Sequence, residues 1–466
     1  GPPAAGKSSA VKAYLAKIAG AVPTPDDWAY VNNFEDVTRP RAVRLPPGRA
    51  RPLARAMIRA IDELRQTLPQ TFEGEDYQAR RKAIDEEFRQ SHEGAIEALT
   101  REAAQKNIAI LRTPMGFGMA PMHDGKVVAP DVFQQLPEAM RAEVQERIAG
   151  FEKRLEQILS EAPTLDKTRR KRIETLNEEV ARIAIEDALH EVKAEFADVA
   201  DVMTYLAATE ADLVRNAGVF VGGSGGESEV VREPADTSRD PRFRRYMVNV
   251  MVASGASEKG APIVEEDNPT FGNIMGRAEH LAHMGALVTD FLLLKSGALH
   301  RANGGYLLID ARKLLLSPFA YEALKRALKA GQIKIEQPAE TLGLIATQTI
   351  EPEPIPLDVK VILVGERELY YLLSAYDPDF SRLFKVQADF DDTIARTQDT
   401  DVAYARLIAS IVTTHKLKPV DASGVARLIE EGVRLAEDRE KLSLEVGRIA
   451  DIVREADYWA GVAGRS

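Results

Sequence analysis

Gly1-Pro-Pro-Ala-Ala-Gly-Lys-Ser-Ser-Ala-Val11 opens the chain and decides how everything after it is read. It spells G-x-x-x-x-G-K-[ST], a loop whose successive backbone N–H groups converge on phosphate oxygens. Gly1 and Gly6 allow the tight turns, with Pro2, Pro3, Ala4 and Ala5 spanning the interval between them. Lys7 is placed to reach β- and γ-phosphates, and the Ser8 hydroxyl to complete a Mg²⁺ shell. Ser9-Ala-Val-Lys-Ala-Tyr-Leu15 has good helix propensity, so bound phosphates would lie at a helix N-terminus. Residues Gly1 to Ser9 are therefore the expected nucleotide-binding set. Such a loop ordinarily follows an apolar strand, and the expectation is that this strand precedes Gly1 in a longer chain.

Composition narrows the class. With 466 residues the chain is too long for one hydrophobic core, and two to four compact units are expected. The absence of cysteine excludes disulfides, thiolate metal sites and cysteine nucleophiles, and fits a reducing compartment. A formal net charge of −11 argues against a dedicated nucleic-acid site. No apolar run approaches the ~20 residues of a membrane-spanning helix, and no signal peptide is visible, so the expectation is a cytoplasmic protein without a membrane partner.

Downstream of the loop, Trp28–Phe34 and Arg41–Leu45 read as short strands. Residues 51–109 carry helical periodicity through Ala54, Met57, Ile58, Ile61 and Leu64. A hairpin is expected near 115–130, turning at Asp124-Gly125. A second charged helical stretch runs from Glu138 to Val214, with a break near Pro163. Gly222-Gly-Ser-Gly-Gly226 begins a polar stretch that reads as flexible linker. Tyr246–Val252, Gly305–Asp310 and Val359–Val364 then read as core strands, and Ile333–Glu336 with Thr347–Ile350 as a small hairpin. From about Thr393 the pattern is entirely helical.

Tyr306-Leu-Leu-Ile-Asp310 is an apolar strand ending in an acid, the Walker B pattern, whose carboxylate can hold Mg²⁺ beside the phosphate loop. The next residue is Ala311, where most AAA+ enzymes place a glutamate that polarises the attacking water. General-base catalysis is worth ~10²–10⁴-fold, so slow ATP hydrolysis is expected unless another acid substitutes. Glu366 is one candidate, or else a solvated loop acid. Arg382, in Tyr376-Asp-Pro-Asp-Phe-Ser-Arg-Leu-Phe384, follows the third core strand at a position similar to that from which ring ATPases present an arginine to a neighbouring subunit's γ-phosphate; the alternative is a surface pair with Asp377 or Asp379. On the last helix a second nucleotide-sensing arginine is expected at Arg448, with Arg454 as the alternative register and a solvated-face arginine as the other reading.

Taken together, these residues resemble the AAA+ module of a Lon-type protease, and in particular a bacterial Lon-related group similar to the archaeal Lon branch. The resemblance is carried by Tyr30–Phe34, Arg39–Gly48, Glu266–Thr270, Gly276–Glu279, Gly297–Asp310, Pro354–Val361 and Arg454–Trp459. It implies an α/β fold: a P-loop AAA+ core with a parallel sheet, a long helical insertion carrying a β-hairpin, and a C-terminal all-helical lid. The expected divisions are 1–50 and 241–392 for the core, 51–215 for the insertion, 216–240 for the linker and 393–466 for the lid. ATP and Mg²⁺ are the implied cofactors, protein substrates the implied partners, and a hexameric homo-oligomeric ring the implied assembly. The family's serine–lysine protease domain is not found in these residues. Phe271 is an expected pore-facing aromatic, or else a packed loop residue. The second reading of the same residues is a chaperone-like or assembly ring that binds nucleotide and hydrolyses little of it.

Overall fold

Alternation along Tyr306-Leu-Leu-Ile-Asp310 organises the central sheet. Successive side chains of a strand point to opposite faces, and here both faces are covered. Tyr306 and Leu308 pack with Leu15, Ala19 and Ala261, while Leu307 and Ile309 join a larger cluster with Tyr30, Met251, Ile274, Leu299 and Leu324. A strand buried on both sides reads as a continuous apolar run, which is why the sequence shows one.

The computed structural model describes residues 6–113, 116–123, 126–134, 137–221, 240–255, 259–283, 286–336 and 350–464. The chain divides into two compact units. Unit one comprises Gly1–Met57, Asp198–Val202 and Phe243–Ser466; unit two comprises Ile58–Ala197 and Met203–Arg242.

Unit one begins with α1 (Lys7–Ala19), β1 (Asp27–Val31) and β2 (Arg41–Leu45). It continues with β3 (Val248–Val252), β4 (Ile263–Glu266), β5 (Tyr306–Asp310), α2 (Ala311–Leu316) and α3 (Ala320–Ala330). After these come β6 (Lys360–Val364), α4 (Arg367–Tyr376) and α5 (Phe380–Leu383). β6, β5 and β4 form a parallel sheet in that order, with Asp310 level with Val364 and Ile309 level with Glu266. α1 lays Val11, Leu15, Ile18 and Ala19 on one face of it, and Lys12 pairs with Glu265 of β4. Two glycines make the entry to β5 possible. A Cβ on Gly305 would lie 2.2 Å from the Pro262 carbonyl oxygen, and Gly304, at φ +77°, would press one to 2.4 Å from Pro25. Leu308 is 1 % exposed between the sheet and α1. Leu308→Ala is expected to lower unfolding free energy by ~2–5 kcal/mol, measured by denaturant titration.

Two strand assignments differ from the sequence reading. β3 is not in the parallel sheet; it pairs antiparallel with β1, which pairs antiparallel with β2. The third parallel strand is β4, too short and too acidic to stand out by composition. The Ile333 strand pairs with Ile355–Pro356, and 337–349, where its expected partner begins, lies outside the described residues.

The C-terminal part of unit one packs the helices Gln398–His415, Ala422–Leu435 and Val446–Val462 around Tyr404, Ile408, Leu428, Ile449 and Val453. The expected all-helical lid is corrected in one respect: Thr393–Ala395 pairs antiparallel with Lys441–Ser443, tying the entry of this region to the segment before its last helix.

Unit two is dominated by the helices Glu75–Gln105 and Glu138–Glu195. Pairs Arg80–Glu179, Arg169–Asp85, Arg172–Glu87 and Arg154–Glu102, each at 2.8 Å, run in antiparallel order between them. Exposed pairs of this kind contribute ~0–1 kcal/mol each, so they set register more than stability. The expected break at Pro163 is absent: the helix is continuous for 58 residues, about 90 Å. It ends instead at Phe196, where a buried aromatic precedes Asp198. The first helical stretch also stops earlier than the periodicity suggests. It ends at Gln105, and Ile108–Thr113 pairs with Gly116–His123, which pairs in turn with Lys126–Val127. Ile108 is buried with Leu99, Ala103, Phe151 and Leu155. The expected turn residues Asp124 and Gly125 lie outside the described residues, as do 222–239 of the expected linker; Gly218–Val221 is a short helix.

Candidate nucleotide-binding site

The carboxyl ends of parallel strands are where α/β folds bind ligands, and the phosphate-site residues meet there. Gly6 caps α1 in left-handed geometry at φ +68°, open on the side where a Cβ would stand. Lys7 is the first residue of α1 and donates from Nζ to the Gly365 carbonyl at 3.1 Å. Gly365 directly follows β6, so this bond spans from the start of α1 to the end of the sheet. Burial pushes the Lys7 ammonium below the usual lysine range, against the opposing pull of the Glu366 and Asp310 carboxylates. Both carboxylates thus act electrostatically on the same cation. Ser8 is partly buried at the start of α1, and Ser9 is exposed. Gly1, Pro2, Pro3, Ala4 and Ala5 lie outside the described residues.

Asp310 ends β5 and caps α2, accepting the Lys313 N–H at 2.9 Å. Its cap role leaves the second carboxylate oxygen available, because only Oδ1 accepts that bond. Ala311 is buried, and a Cβ added to Gly365 would lie 3.0 Å from the Ala311 Cβ. Position 311 therefore faces the residue that receives Lys7. Glu366 is half-buried, and Arg312 stands 3.7 Å from it.

Arg382 is exposed on α5. Its helix is anchored by Phe380, whose ring lies 5.6 Å from Tyr370 and 5.2 Å from Phe384. The acids considered as its partners are engaged elsewhere: Asp377 with Tyr321 and Lys325, Asp379 with Lys329. Among the described residues no side chain pairs with the Arg382 guanidinium. Arg448 pairs with Glu445 at 3.5 Å, whereas Arg454 is held by Asp451 at 2.8 Å and His415 at 3.0 Å. Neither arginine of the expected set, Arg382 or Arg448, bonds to Lys7, Asp310 or Glu366.

Sequence reasoning missed the Gly365 carbonyl, because a backbone acceptor carries no side-chain signal. It also missed an exposed apolar hairpin, Leu281–His283 with Ala286–Val288, where Leu281, Leu287 and Val288 face solvent. Phe271, by contrast, opens the helix Phe271–Met275 and packs partly buried against the central core.

Comparison with known families points the same way. A LonB-like AAA domain matches residues 259–391, spanning β4 to the end of the parallel sheet and Arg382. Residues 259–391 thus resemble the AAA+ domain of Lon-type proteins. The lid domain of archaeal LonB matches 419–466, and the helical domain of Lon-like LonC matches 27–60. The chain is 29 % identical over 159 residues to a protein described as a putative Lon protease homolog of Escherichia coli (strain K12), covering 33 % of this chain and 25 % of that protein. It is 24 % identical over 218 residues to an archaeal Lon protease of Thermoplasma volcanium, covering 46 % of this chain and 33 % of that one. Against the archaeal Lon protease of Archaeoglobus fulgidus the identity is 27 % over 221 residues, covering 46 % and 34 %. The matched region thus spans a quarter to about a third of these relatives' length. Among the described residues no helix is long and apolar enough to cross a membrane.

Proposed function

We propose that this chain is the ATP-driven unfolding and translocating part of a Lon-like protease, working as a homo-oligomeric, hexameric ring. The observation that carries this reading is the meeting of Lys7, Asp310 and Glu366 at the carboxyl end of the sheet. The donor set suits Mg·ATP: an ammonium for phosphate oxygens, a hydroxyl on Ser8, and a strand-end carboxylate on Asp310. Mg²⁺ at such sites takes one or two protein ligands and completes its shell with phosphate and water, so these residues are sufficient. Bound ATP would supply a phosphoryl bond whose cleavage drives movement of the ring. Lys7 would hold the nucleotide, releasing the Gly365 carbonyl to do so. Glu366 would take a proton from the attacking water, the role that Ala311 cannot fill.

The protein-handling surface in this reading is the Leu281–Val288 hairpin, whose exposed apolar side chains offer contacts to an extended chain of any sequence. Unit two would contact substrate or neighbouring subunits. The serine–lysine protease active site would lie in another part of the assembly.

Steady-state phosphate release with and without an unstructured protein tests the reading. Stimulation by the added protein is expected, and Lys7→Ala should abolish both release and binding of a slowly hydrolysed analogue in calorimetric titration. Tight binding with no turnover under any condition would favour the chaperone-like or assembly ring. Unchanged affinity in Lys7→Ala would overturn the phosphate-loop assignment itself.

A further inference from the structure

The turn before α5 is held by an unusually complete set of polar contacts. Asp377 Oδ2 accepts from the Tyr321 hydroxyl at 2.5 Å and from the Lys325 ammonium at 3.1 Å, while Oδ1 accepts the Asp379 N–H at 3.0 Å. Lys325 also pairs with Glu322 at 2.8 Å and sits 4.6 Å from the centre of the Tyr321 ring. One turn of α3 further on, Lys329 pairs with Asp379 at 2.5 Å. The Lys325 and Asp377 side chains are only 9 % and 12 % exposed. A desolvated pair is a poor source of stability, since apolar side chains of the same volume do as well. What it does supply is geometry, because each partner left alone would be a buried charge.

Each end of this clamp leads to the nucleotide site. α3 follows α2, and α2 is capped by Asp310. The turn between the two helices contains Phe319 at φ +62°, a left-handed conformation that a bulky residue adopts only when its surroundings impose it. On the other side, Asp379 caps α5, which carries Arg382. Phe380 anchors α5 against Tyr370 and Phe384, and the Asp377 carbonyl accepts the Phe380 N–H at 3.1 Å, so the clamp on Asp377 and the mount of Arg382 are continuous.

We infer that Asp377 is a positioning residue: gripped by Tyr321 and Lys325, it sets the aim of Arg382 and ties it to the helix pair that begins at Asp310 of the same subunit. The inference rests on the proposal that Arg382 acts on a neighbour's nucleotide. It goes further in naming the groups that orient it and the path by which occupancy at Asp310 reaches it.

The test uses the full chain and single-turnover ATP hydrolysis, which reads slow chemistry. Asp377→Asn, which keeps the volume and loses the charge, should lower the hydrolysis rate by about 10²-fold with nucleotide affinity kept, the loss expected of a displaced reacting group. Lys329→Ala removes only the exposed end of the clamp and should give a smaller loss of the same kind; it serves if Asp377→Asn fails to fold. The deciding measurement is mixing. Asp377→Asn retains an intact nucleotide site, and Lys7→Ala retains an intact clamp and Arg382. Mixed oligomers of the two should recover hydrolysis that neither shows alone, because the Lys7→Ala subunit presents a well-aimed arginine to its neighbour. A merely structural defect in Asp377→Asn would not be rescued this way. Arg382→Ala mixed with Lys7→Ala is the reference. If that mixture recovers activity and the Asp377→Asn mixture does not, the clamp inference fails alone. If the Arg382→Ala mixture shows no recovery, the proposal for Arg382 fails and takes the clamp with it. Wild-type hydrolysis by both Asp377→Asn and Lys329→Ala would likewise overturn the inference.

Discussion

Arg382→Ala is expected to lower ATP turnover by ~10³–10⁵-fold, the range spanned by arginines supplied to a γ-phosphate from outside its own site. Nucleotide affinity should stay nearly unchanged, because the residue makes no bond to Lys7, Asp310 or Glu366 in its own subunit. The guanidinium is exposed, the acids nearest in sequence are occupied, and the helix beneath it is anchored. An unpaired cation on a rigid mount is what a group acting across a subunit boundary requires. The loss should therefore depend on protein concentration, tracking assembly in sedimentation experiments. An equal loss in a protein that stays monomeric at every concentration would count against the assignment.

Glu366→Gln is expected to reduce turnover by ~10²–10⁴-fold with binding retained, the contribution of a general base. Three features support this proposal. Ala311 has no proton acceptor, although its side chain faces Gly365. Glu366 directly follows Gly365, whose carbonyl accepts from Lys7, and its carboxylate acts electrostatically on that ammonium. Its contact with Arg312, at 3.7 Å, is long enough to leave the carboxylate free to reorient. Glutamine keeps the shape and removes the basicity. Turnover unchanged in the variant, measured by phosphate release at saturating ATP, would remove Glu366 from the mechanism.

Local chemistry made much of this legible in advance. The phosphate loop depends on residue types at a fixed spacing, and the helix that follows it starts at Lys7. The strand Tyr306–Asp310 announced itself because both of its faces are buried, and the helical lid because its apolar residues recur at helical spacing. Where a neighbour in sequence does not set the conformation, the reading failed. Pro163 was expected to interrupt a helix and does not, because proline tolerance depends on what packs around the turn it disturbs. Tyr246–Val252 was expected as a buried core strand; Val248–Val252 is a strand but pairs antiparallel with Asp27–Val31, outside the parallel sheet, since an apolar strand fits either kind of edge until its partner is known.

By itself, then, the sequence determined the spacing of the proposed phosphate loop, the apolar alternation that builds the sheet, and the helical character of the chain from about Gln398 onward. Those are properties of short windows, where steric and propensity effects act between near neighbours. Only the tertiary structure decided that Ile263–Glu266 is the third parallel strand, that the Gly365 carbonyl receives Lys7, and that Asp377 belongs to Tyr321 and Lys325 and not to Arg382. Each of these joins groups tens to hundreds of residues apart. Charge and apolarity say that such a group will find a partner; which one it finds depends on the topology that brings the two together.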